Sequence, residues 1–121
     1  MNESIRNLSR EQLGAMLADF AKNWLAHDGL WFQAVERHFG LATATRLDAE
    51  AWERFTVIEA LRIMKRHQIA EGSGLEGLKQ ALQYRLYAVL NRQEIRHETD
   101  RSFENCLVDR AKCEDDPGID R

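Results

Sequence analysis

Phe20-Ala21-Lys22-Asn23-Trp24-Leu25-Ala26-His27-Asp28-Gly29-Leu30-Trp31-Phe32 is the stretch on which the fold turns. Its apolar residues continue a row begun by Leu13, Met16 and Leu17, at the three- and four-residue steps of an amphipathic helix. Asp28-Gly29 interrupts that row. Aspartate favours the position before a helix, and glycine tolerates dihedrals that other residues avoid, so the pair reads as a break. One helix is then expected over 9–27 and a second from Leu30 to Gly40, where glycine supplies a natural end. Leu30, Trp31, Ala34, Val35 and His38 or Phe39 would face the core of that second helix.

Upstream, Ser9-Arg10-Glu11-Gln12 reads as a capping box, the serine oxygen taking a first-turn amide while Gln12 reaches back. Downstream, a third helix is expected over 43–67, with Leu47, Ala51, Phe55, Ile58, Leu61 and Met64 as its buried row and Trp52 on the flank. Arg62, Lys65, Arg66 and His67 gather at its carboxyl end, where the helix dipole favours cations. Residues 69–74 form a glycine-rich turn, and Ser73 with Glu76 suggests a second capping box. A fourth helix would run to Ile95, burying Leu75, Leu78, Leu82, Leu86, Val89 and Leu90. The expected fold class is mainly α: an irregular four-helix bundle with a short C-terminal strand within 102–108 and a disordered acidic tail. Residues 1–98 would form the helical domain and 99–121 a strand or irregular tail.

A chain of 121 residues suits one domain, and 44% apolar with 31% charged residues is ordinary for a folded protein. The net charge of -3 offers no basic footprint, so no nucleic-acid partner is expected. No apolar run reaches the roughly 20 residues of a membrane span, and Met1-Asn2-Glu3-Ser4-Ile5-Arg6 lacks a signal peptide's apolar centre. A cytoplasmic location is the expectation, with no membrane partner. Cys106 and Cys113 are the only cysteines, too few for a four-ligand zinc site, and read as free thiols. No metal or cofactor is expected.

The candidate chemistry is sparse. Trp24, Trp31 and Trp52 are the only tryptophans, and two of them flank His27-Asp28. His27 can move protons near neutrality and Asp28 can orient an imidazole or a ligand, although Asp28 can equally be a helix cap. Glu59 follows Ile58 in an apolar turn; buried, it would serve as acid or base, and paired with Arg62 or Arg85 it would be structural. Together Trp24, His27, Asp28, Trp31, Trp52, Phe55, Glu59 and Arg85 make the candidate ligand-binding set. A phosphate-binding glycine loop, a serine-nucleophile signature and a helical His-Glu metal pair are all missing from the sequence.

The stretch 20–32 is followed by Ala49-Glu50-Ala51-Trp52-Glu53-Arg54-Phe55 and Ile58-Glu59-Ala60. Then come Ile63-Met64-Lys65-Arg66, Leu78-Lys79-Gln80-Ala81-Leu82 and Arg85-Leu86-Tyr87-Ala88-Val89-Leu90-Asn91. Over about 8–95, this pattern resembles a family of small cytosolic bacterial and archaeal proteins known as a domain of unknown function. The resemblance implies a helical half followed by a strand-bearing, cysteine-containing half. Cys106 would be the first of those cysteines, and the chain reads as a member shortened at its carboxyl end. A more distant similarity runs to L-2-amino-thiazoline-4-carboxylic acid hydrolase-like proteins. Three functions stay open: an aromatic-lined small-molecule site, a hydrolase using His27, Asp28 or Glu59 for protons, and a self-associating structural domain.

Overall fold

The structure, a computed structural model, describes residues 1–108. Cys113 and the acidic end expected to form a disordered tail lie outside the described residues. Five helices and two strands follow one another: α1 (Glu3–Arg6), α2 (Arg10–Phe39), α3 (Leu41–His67), α4 (Gly74–Leu82), α5 (Leu86–Leu90), β1 (Arg92–Arg96) and β2 (Glu104–Val108). The mainly α expectation holds, with a different division into helices.

The break at Asp28-Gly29 does not form, because α2 runs through it for 30 residues. A glycine inside a helix costs only about 1 kcal/mol relative to alanine. The inward row Ala18, Ala21, Leu25, Phe32 and Val35 keeps its helical phase on both sides of Gly29, so one uninterrupted helix satisfies both halves. Asp28 is therefore a mid-helix residue and caps nothing. At the start of α2 the Ser9–Gln12 capping box is formed: Gln12 N–H donates to Ser9 Oγ at 3.1 Å and Ser9 N–H to Gln12 Oε1 at 2.9 Å.

The chain reverses instead at Gly40. Its φ of 86° and ψ of 163° are closed to ordinary L residues. The Gly40 amide donates to Glu36 O at 2.8 Å and its carbonyl accepts from Ala44 N at 3.1 Å, so one residue ends α2 and starts α3. α3 thus begins at Leu41, two residues before the expected Thr43. The two long helices run back along each other, with Ala21 and Ala44 buried where they approach closely.

Beyond His67, Gln68 takes the left-handed conformation and closes the helix on Met64 O. The second capping box is absent: Ser73 Oγ donates backward to Ala70 O at 2.6 Å, and Gly74 has φ +64°. The expected fourth helix splits. α4 ends at Leu82, Arg85 is extended, α5 makes one short turn, and Ile95 lies in β1. β1 pairs antiparallel with β2, Gln93 opposite Leu107 and Ile95 opposite Asn105. This ladder draws 92–96 out of the helical pattern, a long-range pairing that overrides local periodicity. A strand within 102–108 was expected; its partner was not.

The core is small. Ala21, Ala44, Ile63 and Ile69 are its buried apolar residues. Leu47, Ile58 and Leu61, expected as the buried row of α3, are exposed, and so are Leu30 and Trp31 of α2.

Candidate functional site

The eight candidate residues separate into three groups. The first is an aromatic knot that ties the hairpin. Trp24 of α2 stacks on Phe55 of α3 with centroids 5.0 Å apart and meets Trp52 edge-on at 5.5 Å. Trp52 in turn stands edge-on to Phe55 at 5.4 Å and stacks on Tyr87 of α5 at 6.4 Å. Such offset and T-shaped pairs add attraction beyond the area they bury. Trp52 and Phe55 are both partly buried in this knot, and Phe55 also lines a groove on the outer side of α3.

The second group is an ion pair. Arg85 Nε donates to Glu59 Oε1 at 2.6 Å, and the Leu86 amide approaches Glu59 Oε2 at 3.5 Å. The Arg85 guanidinium also lies 5.6 Å from the Tyr87 ring centroid. Glu59 therefore anchors the start of α5 to the middle of α3. Of the two structural partners considered for it, Arg85 is the one used.

The third group is open to solvent. Trp24, His27, Asp28 and Trp31 line a concavity of about 330 Å³. All four belong to α2 at steps of three and four residues, so a single helix supplies the whole wall. Burial pushes the Asp28 carboxyl above its ordinary 3.8, the facing Asp48 carboxylate adds to the rise, and His27 opposes it. Asp48 is one of the carboxylates of the long helix, and its effect on Asp28 arises only because α3 folds back along α2.

A second, unanticipated concavity of about 270 Å³ lies between α4–α5 and the strands, lined by Leu82, Arg85, Tyr87, Gln93, Asn105 and Leu107. Gln93 Oε1 and Asn105 Oδ1 are buried there and accept no hydrogen bond from the protein. The strand register alone brings these carboxamides to one sheet face, which no local signal announces. Among the described residues, no group of three or more His, Cys, Asp or Glu side chains is placed to hold a metal ion. No helix among them is long and apolar enough to cross a membrane.

The largest feature is a face. On α2, Leu13, Leu17, Phe20, Trp24, His27 and Trp31 follow one another at alternating steps of four and three, and all are exposed. On α3, Leu47, Ala51, Arg54, Ile58 and Leu61 repeat the same rhythm and are also exposed. Trp24 of the first row stacks on Phe55, which lines one groove with Leu47, Ala51 and Ile58, so both rows open on the same side of the hairpin. α5 sits on the other side, against Trp52 and Glu59.

No curated protein and no solved structure matches the chain. Residues 6–115 match a family of unknown function, DUF6125, and this span carries the hairpin, the aromatic knot and the Glu59–Arg85 pair. The chain belongs to that family.

Proposed function

We propose that this chain is a helical association domain, whose α2–α3 hairpin works by packing its open apolar face against another helical surface. One observation carries the reading: Leu17, Phe20, Trp31 and Leu61 stand 56%, 58%, 67% and 61% exposed in two adjoining heptad-spaced rows. Monomeric proteins rarely leave contiguous apolar patches beyond a few hundred Å² uncovered. The rows also have the periodicity of a helix-packing seam, which a ligand pocket has no need of. Covalent labelling of tryptophan in the intact chain, with an environment-sensitive apolar dye in parallel, tests it. A docked face protects Trp31 from labelling, and an open face binds the dye. A Trp31 that is fully labelled in a chain that binds no dye defeats the reading.

The Asp28 geometry favours a second reading. A carboxyl whose proton is held more tightly than usual, beside two indoles and an imidazole, suits a flat ligand bearing a hydrogen-bond acceptor. The hydrolase version of this idea has His27 and Asp28 exchanging protons with a small thiazoline or cyclic-amide substrate, as the distant similarity to aminothiazoline-carboxylate hydrolases suggests. Turnover of such a substrate by the pure chain, lost in Asp28→Asn, would support it. No turnover at any pH between about 5 and 9 would remove it. A bacterial or archaeal origin and a cytoplasmic setting accord with both readings.

A further inference from the structure

We infer that the occupant of the α2–α3 face is a second copy of this chain, packed antiparallel about a two-fold axis to complete a four-helix bundle. The inference rests on the docking reading above and names its partner.

The area is of the right size. Phe20, Trp24 and Trp31 at their observed exposures, with Leu13, Leu17, Leu47, Ile58 and Leu61, present on the order of 700–800 Å² of side chain, the share one partner gives to a standard interface. The shape is self-matched. Two antiparallel helices of 30 and 27 residues, each with an exposed row at heptad spacing, are complemented by two more helices of that length and rhythm. A second hairpin supplies both.

The charges agree with that pairing. In an isologous contact every residue meets its counterpart reciprocally. Place the axis level with His27 on α2, about one turn from the stacked Trp24–Phe55 pair. On α3 that level lies near Trp52 and Glu53. Leu47 then faces Ile58 of the second copy, and Glu50 faces Arg54 of the second copy, each twice by symmetry. On α2, Trp24 meets the Leu30–Trp31 turn of the second copy. Apolar meets apolar and acid meets base at these contacts, and Glu50 and Arg54, exposed within a single chain, line one groove with Leu47, Ala51 and Ile58. The thin core points the same way. Four buried apolar residues among the 108 described are few, and a shared bundle would supply the burial that one copy lacks.

The test is the mass of the full chain by light scattering over roughly 1–200 µM, a range that spans micromolar self-association. Wild-type chain should move from 14.0 kDa toward twice that mass. Glu50→Arg and Arg54→Glu each place like charges opposite one another at both symmetric contacts, and each should weaken association about tenfold or more. Mixing the two variants should restore it as a heterodimer, because a copy with two arginines then meets one with two glutamates. Mixing leaves the contacts within each chain unaltered, so rescue reports the contact between copies. Leu47→Glu, at a site exposed in one copy and opposite Ile58 of the second, should abolish the dimer while leaving the helical circular dichroism intact. A dimer indifferent to Leu47→Glu and to both charge reversals overturns the inference, because another face then joins the copies. A monomer throughout that still binds the apolar dye overturns it while the docking face stands with a different occupant. A monomer that binds no dye removes both.

Discussion

Arg85 Nε reaches Glu59 Oε1 at 2.6 Å, and through this bond α5, too short to persist alone, is held against the middle of a helix 27 residues long. The carboxylate side chain is 13% exposed and the guanidinium 28%, so both are largely withdrawn from water. Removing one partner leaves the other half-buried and unsatisfied. Arg85→Ala is expected to destabilise the fold by about 2–3 kcal/mol and Glu59→Gln by about 1 kcal/mol, since the amide still accepts one hydrogen bond. Urea unfolding of the two variants checks the order. Equal, negligible losses would show that α5 is held by Tyr87 and its apolar neighbours alone.

The two tryptophans beside His27 should behave differently. Trp24 stacks on Phe55 and edges Trp52, so Trp24→Ala should cost about 2–3 kcal/mol, below the full value for a buried ring because Trp24 is partly open. Trp31 is 67% exposed, and Trp31→Ala should change the stability of a single copy by less than about 0.5 kcal/mol. Under conditions that favour association, Trp31→Ala should acquire a cost that it lacks in the single copy. Denaturation at two protein concentrations separates these effects.

Asp28 gives a pH-dependent outcome whose sign follows from its raised pKa. The folded chain holds the Asp28 proton more tightly than the unfolded chain does, through burial and the nearby Asp48 carboxylate, with His27 opposing. Stability therefore falls as pH rises from 3.8 through the folded value, and the loss persists above it. Asp28→Asn removes that loss. The variant should melt higher than wild type at neutral pH, and the gap should close near pH 3, where both forms are uncharged. A gap that stays constant with pH would mean that the amide acts through something other than the charge.

Gly29 and Gly40 should respond oppositely to alanine. Gly29 lies inside α2 and a Cβ there would meet nothing within 4 Å, so Gly29→Ala should stabilise by roughly 0.5–1 kcal/mol. Gly40 also has free space around it, but its φ of +86° excludes a side chain on backbone grounds, and Gly40→Ala should cost about 1–3 kcal/mol. Thermal melts of the two variants measure both.

These contrasts show where sequence reasoning reaches. The capping box at Ser9 and Gln12 was legible because two residues three positions apart decide it. The Glu59–Arg85 pair and the aromatic cluster were legible as residue types that attract one another once brought together. Asp28-Gly29 was misread because a capping residue beside a glycine looks alike in a turn and in a helix that tolerates both. The strand pairing, the Asp48 contact and the buried Gln93 and Asn105 oxygens depend on folding-back distances that no local window contains. Periodicity marked the helical apolar positions of α2 and α3 but set Leu47, Ile58 and Leu61 inward, where the structure exposes them. A row that packs against a second chain looks the same in sequence as one that packs inside its own.

Gly40 carries one more implication. It is a one-residue hinge: along the backbone its dihedral pair alone separates a hairpin from a straight rod, while the Trp24–Phe55 stack holds the hairpin closed. If that pair turned helical, α2 and α3 would fuse into a single helix of about 58 residues, close to 87 Å long. In such a rod each row would seek its complement on another opened chain, exchanging halves and keeping the same side-chain contacts. The same seam thus admits a closed and a swapped architecture, and the choice between them rests on a single pair of torsion angles.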